Sequence, residues 1–267
     1  MKYLSLKLIF AIAFLASTAL AQPGQAHYSA AAHRMFDGEV LTFDGKLNKI
    51  IRGISVAEMT FTASSPRDGA EMVVKAEAVS KGTLLKLFRF SFLQRYESTI
   101  DLNNFRIQKT VKHDVQKERV RDSEAVFDYK DRRVTYVETD PKDANRAPRR
   151  IASELSDQVH DMISAIYSLR LQALSVGKRL ELSISDSGLV YRVPVIVAAK
   201  ESQKTVIGKV TCFRVEPEIF GKGRLIEQDG KMVIWMTEDE RHLPIHAQID
   251  TSFGKIDIKL RSVSKPS

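Results

Sequence analysis

Residues 243–260 read LPIHAQIDTSFGKIDIKL, and this stretch decides the fold. Apolar residues at 243, 245, 247 and 249 alternate with residues that favour solvent, and the same alternation returns at 256–260. Strict alternation is typical of a β-strand with one buried and one wet face, and Asp250 to Gly254 supply a turn signal between the two runs. The stretch therefore predicts an antiparallel β-hairpin.

The period of two continues outward from this hairpin over most of the chain. Turn signals at Asn103-Asn104, 186–188 and 228–230 separate several of the runs. About a dozen strands are too many for one flat sheet, so the sheet must curl, close on itself or pair with a second sheet. The further predicted strands are 39–43, 54–62, 72–80, 105–113, 123–129, 133–138, 179–185, 189–199, 205–216 and 232–237.

Residues 153–174 break this period and predict one helix. Residues 138–150 before it contain two prolines and mixed charge, and they predict an exposed loop. Ser156 or Asp157 is the expected N-cap, and Gly177 the expected stop. The apolar face of the predicted helix lies within 159–174 and consists of Val159, Met162, Ile163, Ile166, Leu169 and Ala173.

These patterns predict a mainly β fold: a strongly curved antiparallel sheet or flattened open barrel, with one amphipathic helix packed on its concave face. Because the helix has no separate partner, we expect one β-rich domain over 36–263, preceded by a loose leader at 22–35.

Residues 1–21, MKYLSLKLIFAIAFLASTALA, have the pattern of a secretory signal peptide, with two lysines, a short apolar run and cleavage after Ala21. We therefore expect an exported, periplasmic protein. The net charge of +8 first suggests nucleic acid or an anionic membrane, but export argues against nucleic acid. One cysteine excludes a disulfide framework.

Arg170 is the sharpest anomaly, because it falls in the middle of the helix's apolar face. A buried guanidinium needs a carboxylate, and Glu97, Asp101 and Asp239, each near a strand end, are the candidates. Two hypotheses remain open: an internal ion pair that fixes the helix against the sheet, or an arginine that anchors a ligand.

Residues 235–244, WMTEDERHLP, predict a strand, a charged turn and a second strand. Here too, either a binding rim or a hairpin corner with a core tryptophan fits the pattern. The candidate polar cluster, ligand-binding or structural, consists of Arg170, Glu97, Asp101, Trp235, Asp239 and Arg241.

Residues 81–112 combine a basic excess with leucines and phenylalanines. Such a segment suits either anionic lipid or core strands with solvated ends. The seven basic residues are Lys81, Lys86, Arg89, Arg95, Arg106, Lys109 and Lys112.

No catalytic motif is present in the sequence. It lacks G-x-S-x-G, phosphate-loop and dinucleotide fingerprints, and the S-x-x-K matches at 175–178 and 262–265 lack their companion motifs. Cys212 lies in an alternating segment and is expected to be a small buried residue. We expect no enzymatic activity, no cofactor and no metal.

The order of several short motifs resembles the bacterial exported family called domain of unknown function 3108, over about residues 36–263. The resemblance implies a β-rich cell-envelope protein of unassigned activity and brings no catalytic residues. The motifs are GEVL at 38–41, RYESTID at 95–101, VFDY at 126–129, DMISAIYSLR at 161–170, Gly177, WMTED at 235–239, RHLP at 241–244 and a final Gly254 to Leu260.

The function expected from these features is a non-catalytic binding or carrier module for a hydrophobic or amphipathic envelope component. The alternative is a structural or assembly protein of the envelope that acts through protein partners. The first hypothesis requires an apolar cavity between helix and sheet. A hydrophobic ligand or an anionic membrane surface is the expected partner, and the oligomeric state stays open.

Overall fold

The computed structural model describes residues 35–48, 54–65, 70–82, 91–251 and 254–264, together with Ala32, Lys86 and Arg89. The predicted signal peptide and most of the predicted leader lie outside these residues, as do the tip of the 250–254 turn and part of the 81–112 segment. No helix within the described residues is long and apolar enough to cross a membrane.

Within the described residues, fourteen antiparallel strands form a single sheet, and a nine-residue helix, α1, spans Met162–Arg170. The strands are β1 Val40–Asn48, β2 Ile54–Ser64, β3 Glu71–Ser80, β4 Phe92–Asp101, β5 Arg106–Gln116, β6 Arg119–Asp128, β7 Arg133–Thr139, β8 Arg149–Glu154, β9 Arg179–Asp186, β10 Leu189–Thr205, β11 Gly208–Pro217, β12 Gly230–Thr237, β13 Pro244–Thr251 and β14 Gly254–Ser264.

The sheet consists of two meanders joined where the first and last strands pair. Its order is β8-β7-β6-β5-β4-β3-β2-β1-β14-β13-β12-β11-β10-β9. The predicted hairpin is β13 with β14, in which Ala247 lies opposite Ile258. Because β8 and β9 are the two edges and α1 lies between them in sequence, the helix segment links one edge of the sheet to the other.

The sheet curls until its edges approach each other. The β9–β10 turn at Gly188 meets Tyr136 and Ile151 of the opposite arm, and the Lys112 amine on β5 lies 2.5 Å from the Asp186 carboxylate. Between the edges, His160 makes a parallel bridge to Ile184. Within the described residues β8 and β9 do not pair, so the sheet stays open. The predicted curved, open fold is confirmed.

The helix is buried on nearly every side, because both arms of the sheet pack on it. Ile163 and Tyr167 belong to a cluster formed mainly with β3–β7, and Ala165 and Leu169 to a cluster with β9–β12. Met162 is the α1 residue that stays exposed, at 37%. Ser164, Ser168 and Arg170 are buried together with the apolar residues, so α1 is a core helix, and it sits against the concave side of the sheet.

Four local predictions need correction. The helix begins at Met162 and not at 153, its N-cap is Asp161 and not Ser156 or Asp157, and its C-cap is Leu171 and not Gly177. Asp161 and Ser164 form a reciprocal capping box, which outweighs the earlier polar residues as a helix start. Residues 149–154 form β8, an exposed edge strand, so the predicted loop is restricted to 140–148.

Strand β4 has no counterpart among the predicted strands. Its inward side carries Ser98 as well as Ile100, so polar residues interrupt the apolar alternation. Pairing with β3 on one side and β5 on the other fixes this segment as a strand. The described part of the basic segment is thus largely strand, in agreement with the second of the two hypotheses for it.

Candidate functional site

An apolar cavity of about 110 Å³ lies between α1 and the middle of the sheet. It is bounded on one side by the helix and on the other by the strands around the β1–β14 junction. Its lining consists of Leu41, Phe43, Met59, Phe61, Ile166, Tyr167, Arg170, Met232, Ile234, Pro244, His246, Ala247 and Ile258.

The spacing of the lining residues follows from the two backbone periods. Ile166 and Arg170 are four apart and Tyr167 is three before Arg170, so the three share one helix face. On β1, Leu41 and Phe43 are two apart and therefore point to the same side of the sheet. The small side chain of Ala247, between Ile234 and Ile258 on the neighbouring strands, leaves room in the floor.

Arg170, one of the lining residues, forms a buried ion pair. Its Nη1 and Nη2 donate to Oε2 and Oε1 of Glu39 at 2.6 and 2.8 Å, and its Nε donates to the Arg241 carbonyl at 3.1 Å. The guanidinium also lies 4.6 Å from the ring centre of Phe36 and 5.3 Å from that of Tyr167. All three donor nitrogens are engaged, which favours the structural hypothesis for Arg170 over ligand anchoring.

The predicted partners of Arg170 are wrong, because the carboxylate that binds it belongs to Glu39. The Glu97 carboxylate lies 3.2 Å from the Lys75 amine on the exposed face, and Asp101 accepts from the Asn103 backbone N–H at 2.8 Å. Asp239 accepts from the Arg241 guanidinium at 2.8 Å. A missed signal existed: Glu39 precedes Leu41 and Phe43 by two and four residues, so it shares their inward face.

The six residues of the predicted cluster therefore do not form one site. The Arg170 guanidinium donates to the Arg241 carbonyl, and the Arg241 side chain pairs with Asp239, so these three residues are connected. Glu97 and Asp101 lie elsewhere, on β4. Trp235 donates from Nε1 to Glu201 at 2.7 Å and stacks on the His246 ring at 4.4 Å between centroids.

A second polar group, missed by sequence reasoning, surrounds the N-terminus of α1. The buried Asp161 carboxylate accepts from the Ser98 hydroxyl at 2.5 Å, the Thr110 hydroxyl at 2.7 Å and the Ser164 backbone N–H at 2.7 Å. Beside it, burial lowers the pKa of His160 to about 4, with the Asp161 charge opposing. The sequence signal for this network is that Ser98 and Thr110 are polar residues at inward-facing strand positions.

The thiol of Cys212 is buried and forms no disulfide. Burial, with smaller contributions from Asp239 and Glu201, raises the pKa of Cys212 to about 11, so this cysteine is a thiol at neutral pH. A protonated, buried thiol is a poor nucleophile. The described residues contain no group of three or more His, Cys, Asp or Glu side chains that could hold a metal ion.

The basic residues of the 81–112 segment are largely matched by carboxylates on neighbouring strands. Lys81 lies 2.8 Å from Asp44, and Arg95 lies 2.6 Å from Glu77. Lys109 is held in the same way, 2.6 Å from Glu124. The charge of this segment is thus neutralised locally at these positions.

Within the described residues, an open antiparallel sheet curls around a buried helix with an apolar cavity between them, and this fold defines a class of curved, β-rich proteins. The model of the family described as "Protein of unknown function (DUF3108)" matches residues 42–261. The chain belongs to this family, as its short motifs predict. No curated protein matches the chain.

One of three solved structures that match the chain has a similar fold over most of its length. A Brucella abortus protein described as a β-barrel-like protein of domain of unknown function DUF1849 is 10% identical, with a TM-score of 0.57 over 86% of this chain and 98% of that one. The hypothetical protein CT021 from Chlamydia trachomatis is 10% identical, with a TM-score of 0.33 over 89% and 92%. A Bacteroides fragilis protein, assigned provisionally as exported and as having a YmcC-like fold, is 9% identical, with a TM-score of 0.31 over 86% and 96%.

Proposed function

We propose that this protein is a non-catalytic binding or carrier module for a hydrophobic or amphipathic component of the cell envelope. The observation that carries the proposal is the cavity under α1. A fully packed interior would leave no place for a ligand. Here a cavity is present, and almost all the side chains that line it are apolar.

The volume limits what the cavity holds. About 110 Å³ is well below the roughly 300–1,000 Å³ of pockets that enclose whole drug-sized ligands. It is close to the roughly 150 Å³ of an apolar cavity that admits benzene. The occupant is therefore an apolar group of a few carbon atoms, such as the end of an acyl chain, with the rest of the molecule outside.

The proposed location in the cell envelope rests on the N-terminal sequence. The signal-peptide pattern at 1–21 supports export to the periplasm, where acyl chains of envelope components are available. The absence of a catalytic motif and the protonated state of Cys212 support a role without chemistry. The local neutralisation of the 81–112 segment favours the apolar cavity over an anionic membrane surface as the site of contact.

Filling the cavity tests the proposal. Ala247→Met places a long side chain in the cavity floor, and Ala152→Met, on the exposed strand β8, is the matched control. Toluene should raise the Tm of the wild type and of Ala152→Met but not that of Ala247→Met. An equal shift in all three proteins, or no shift in the wild type, would overturn the proposal.

Native mass spectrometry of the protein taken from its own envelope identifies the occupant. A co-purified acylated molecule is the expected result. A co-purified envelope protein without any lipid would favour the alternative, a structural or assembly protein acting through partners.

A further inference from the structure

The two edges of the sheet differ in how they are covered. At β9, the His160 N–H donates to the Ser183 carbonyl at 2.9 Å and the Ser185 N–H donates to the His160 carbonyl at 2.7 Å, so the chain before α1 occupies this edge. At β8, residues 149–154 pair with β7 on one side and form no backbone hydrogen bond to any described residue on the other. Such an edge is a row of donors and acceptors that can pair with a further strand.

The opposite arm of the sheet passes beneath β8 and leaves its outer edge open. The turn at Gly188 approaches Tyr136 and Ile151, which are cross-strand partners on β7 and β8. Tyr136 is 4% exposed and belongs to the core, so this contact lies on the concave face. The alternate residues of β8 point to the convex face and are exposed, namely Arg150, Ala152 and Glu154.

The charged residues on the convex side of β8 lack the ion pairs that join its neighbouring strands. Between β5 and β6, the Lys109 amine lies 2.6 Å from the Glu124 carboxylate across the convex face. Arg150 and Glu154 form no ion pair with any described residue. Strand β8 therefore presents a cation, the neutral Ala152 and an anion in series along its free edge.

This series is complementary to itself in one antiparallel register. Two copies related by a two-fold axis perpendicular to the sheet keep the same face on the same side, and Ala152 then lies opposite Ala152 of the second copy. In that register each Arg150 lies opposite a Glu154, and opposite charges directly across antiparallel strands attract. A register centred on Ile151 forms no such pair, and parallel in-register strands place like charges together.

We propose that β8 binds a second copy of this chain strand to strand, with Ala152 on the two-fold axis and each Arg150 paired with Glu154 of the other copy. Charged residues usually protect an edge against pairing, whereas these accept an identical strand and disfavour other charge patterns. One six-residue strand from each copy makes a small interface, so the dimer is weak and depends on concentration. The cavity lies under α1 on the concave side, so this inference is independent of the proposed function.

Charge reversal tests the interface, with the dimer dissociation constant measured by sedimentation equilibrium. Arg150→Glu and Glu154→Arg each bring like charges together twice in the dimer, and each should raise this constant at least about tenfold. The double variant Arg150→Glu with Glu154→Arg restores both pairs with reversed polarity and should return the constant to the wild-type value. Lys209→Glu, which reverses an exposed charge on β11, is the matched control and should leave it unchanged.

Mixing the two single variants gives a signature that a folding defect does not produce. The Arg150→Glu chain carries two acidic residues on this side of β8 and the Glu154→Arg chain two basic ones, so the mixture should form a heterodimer tighter than either homodimer. A wild type that is monomeric at about 1 mM would overturn the inference. Equal effects of Arg150→Glu and Lys209→Glu on the dissociation constant would overturn it as well.

Cross-linking tests the register. In a Cys212→Ala background, Ala152→Cys places two thiols across the axis on Cβ atoms about 5 Å apart, within reach of a short bis-maleimide. We expect a covalent dimer in high yield. Val206→Cys in the same background, at a position 58% exposed between β10 and β11, should stay largely monomeric. Equal yields for the two variants would contradict a dimer centred on Ala152.

Discussion

The guanidinium of Arg170 binds both carboxylate oxygens of Glu39 across 131 residues of sequence. The side chains are 0% and 5% exposed, so the pair is screened by protein and not by water. It ties the last residue of α1 to the residue just before β1, the strand at the centre of the sheet. This contact therefore fixes the C-terminal end of the helix to the centre of the sheet.

Removing one partner of this pair should be costly. Arg170→Met leaves the Glu39 carboxylate buried without a cation, and we expect the free energy of unfolding in urea to fall by about 3–5 kcal/mol. Arg241→Ala, which removes the exposed pair with Asp239, should cost less than about 1 kcal/mol. The double variant Glu39→Leu with Arg170→Met should be more stable than Arg170→Met alone. A urea midpoint of Arg170→Met equal to that of the wild type would contradict a stabilising role for the Arg170–Glu39 pair.

Half of this relationship could be read from the sequence. The helix period places Arg170 on the apolar face, and the strand period places Glu39 on the side of Leu41 and Phe43. Each residue is thus individually marked as a buried charge. Their pairing could not be read, because it depends on β1 joining β14 and on the helix crossing beneath that junction. Periodicity reports which face is buried but not what lies against it.

The same distinction separates the correct from the missed elements. The hairpin β13–β14 has clean alternation and a turn signal, and both strands are predicted, although β14 continues four residues beyond Leu260. Edge strand β8 is mostly exposed and carries two arginines, so its strand state comes from pairing with β7 alone. The cavity arises from three-dimensional packing around Ala247, which no local pattern encodes.

Protonation of His160 should destabilise the fold between about pH 6.5 and 4. The folded pKa of about 4 lies below the ordinary value of 6.5, so the unfolded chain binds this proton first. The stability is fully present above pH 6.5 and is lost as the pH falls toward 4, by about 3 kcal/mol. Urea titrations at each pH should show this loss in the wild type and a correspondingly smaller one in His160→Leu. Parallel pH profiles for the two proteins would contradict the prediction.

The contact between the two ends of the sheet depends on Gly188. A Cβ there would lie 2.6 Å from Cβ of Tyr136 and 3.0 Å from Cβ of Ile151, and the residue has a φ of +81°. Gly177→Ala provides the control, since its φ is +86° but no atom lies within 4 Å of the position that its new methyl group would take.

We expect Gly177→Ala to lower the free energy of unfolding by about 1 kcal/mol for the backbone alone. Gly188→Ala should cost about 2 kcal/mol more, because the arms must separate. Equal thermal shifts for the two variants would mean that the ends are not in close contact.

Cys212 reports whether the β10–β11 hairpin opens. It is fully buried, pairs with Glu201 and Thr237, and has a pKa of about 11 because of its burial. At pH 8 its thiolate fraction is about a hundredfold below that of an unfolded cysteine, since thiolate and not thiol reacts. Alkylation by iodoacetamide should therefore be at least about a hundredfold slower in the native protein than in urea, and should accelerate as the pH rises toward 11. The control is the double variant Cys212→Ala with Val206→Cys, which moves the thiol to a site that is 58% exposed in the wild type. In this variant the alkylation rates of the native and the unfolded protein should be the same. Because the chain has one cysteine, a native rate within tenfold of the unfolded rate would show that this hairpin opens on its own.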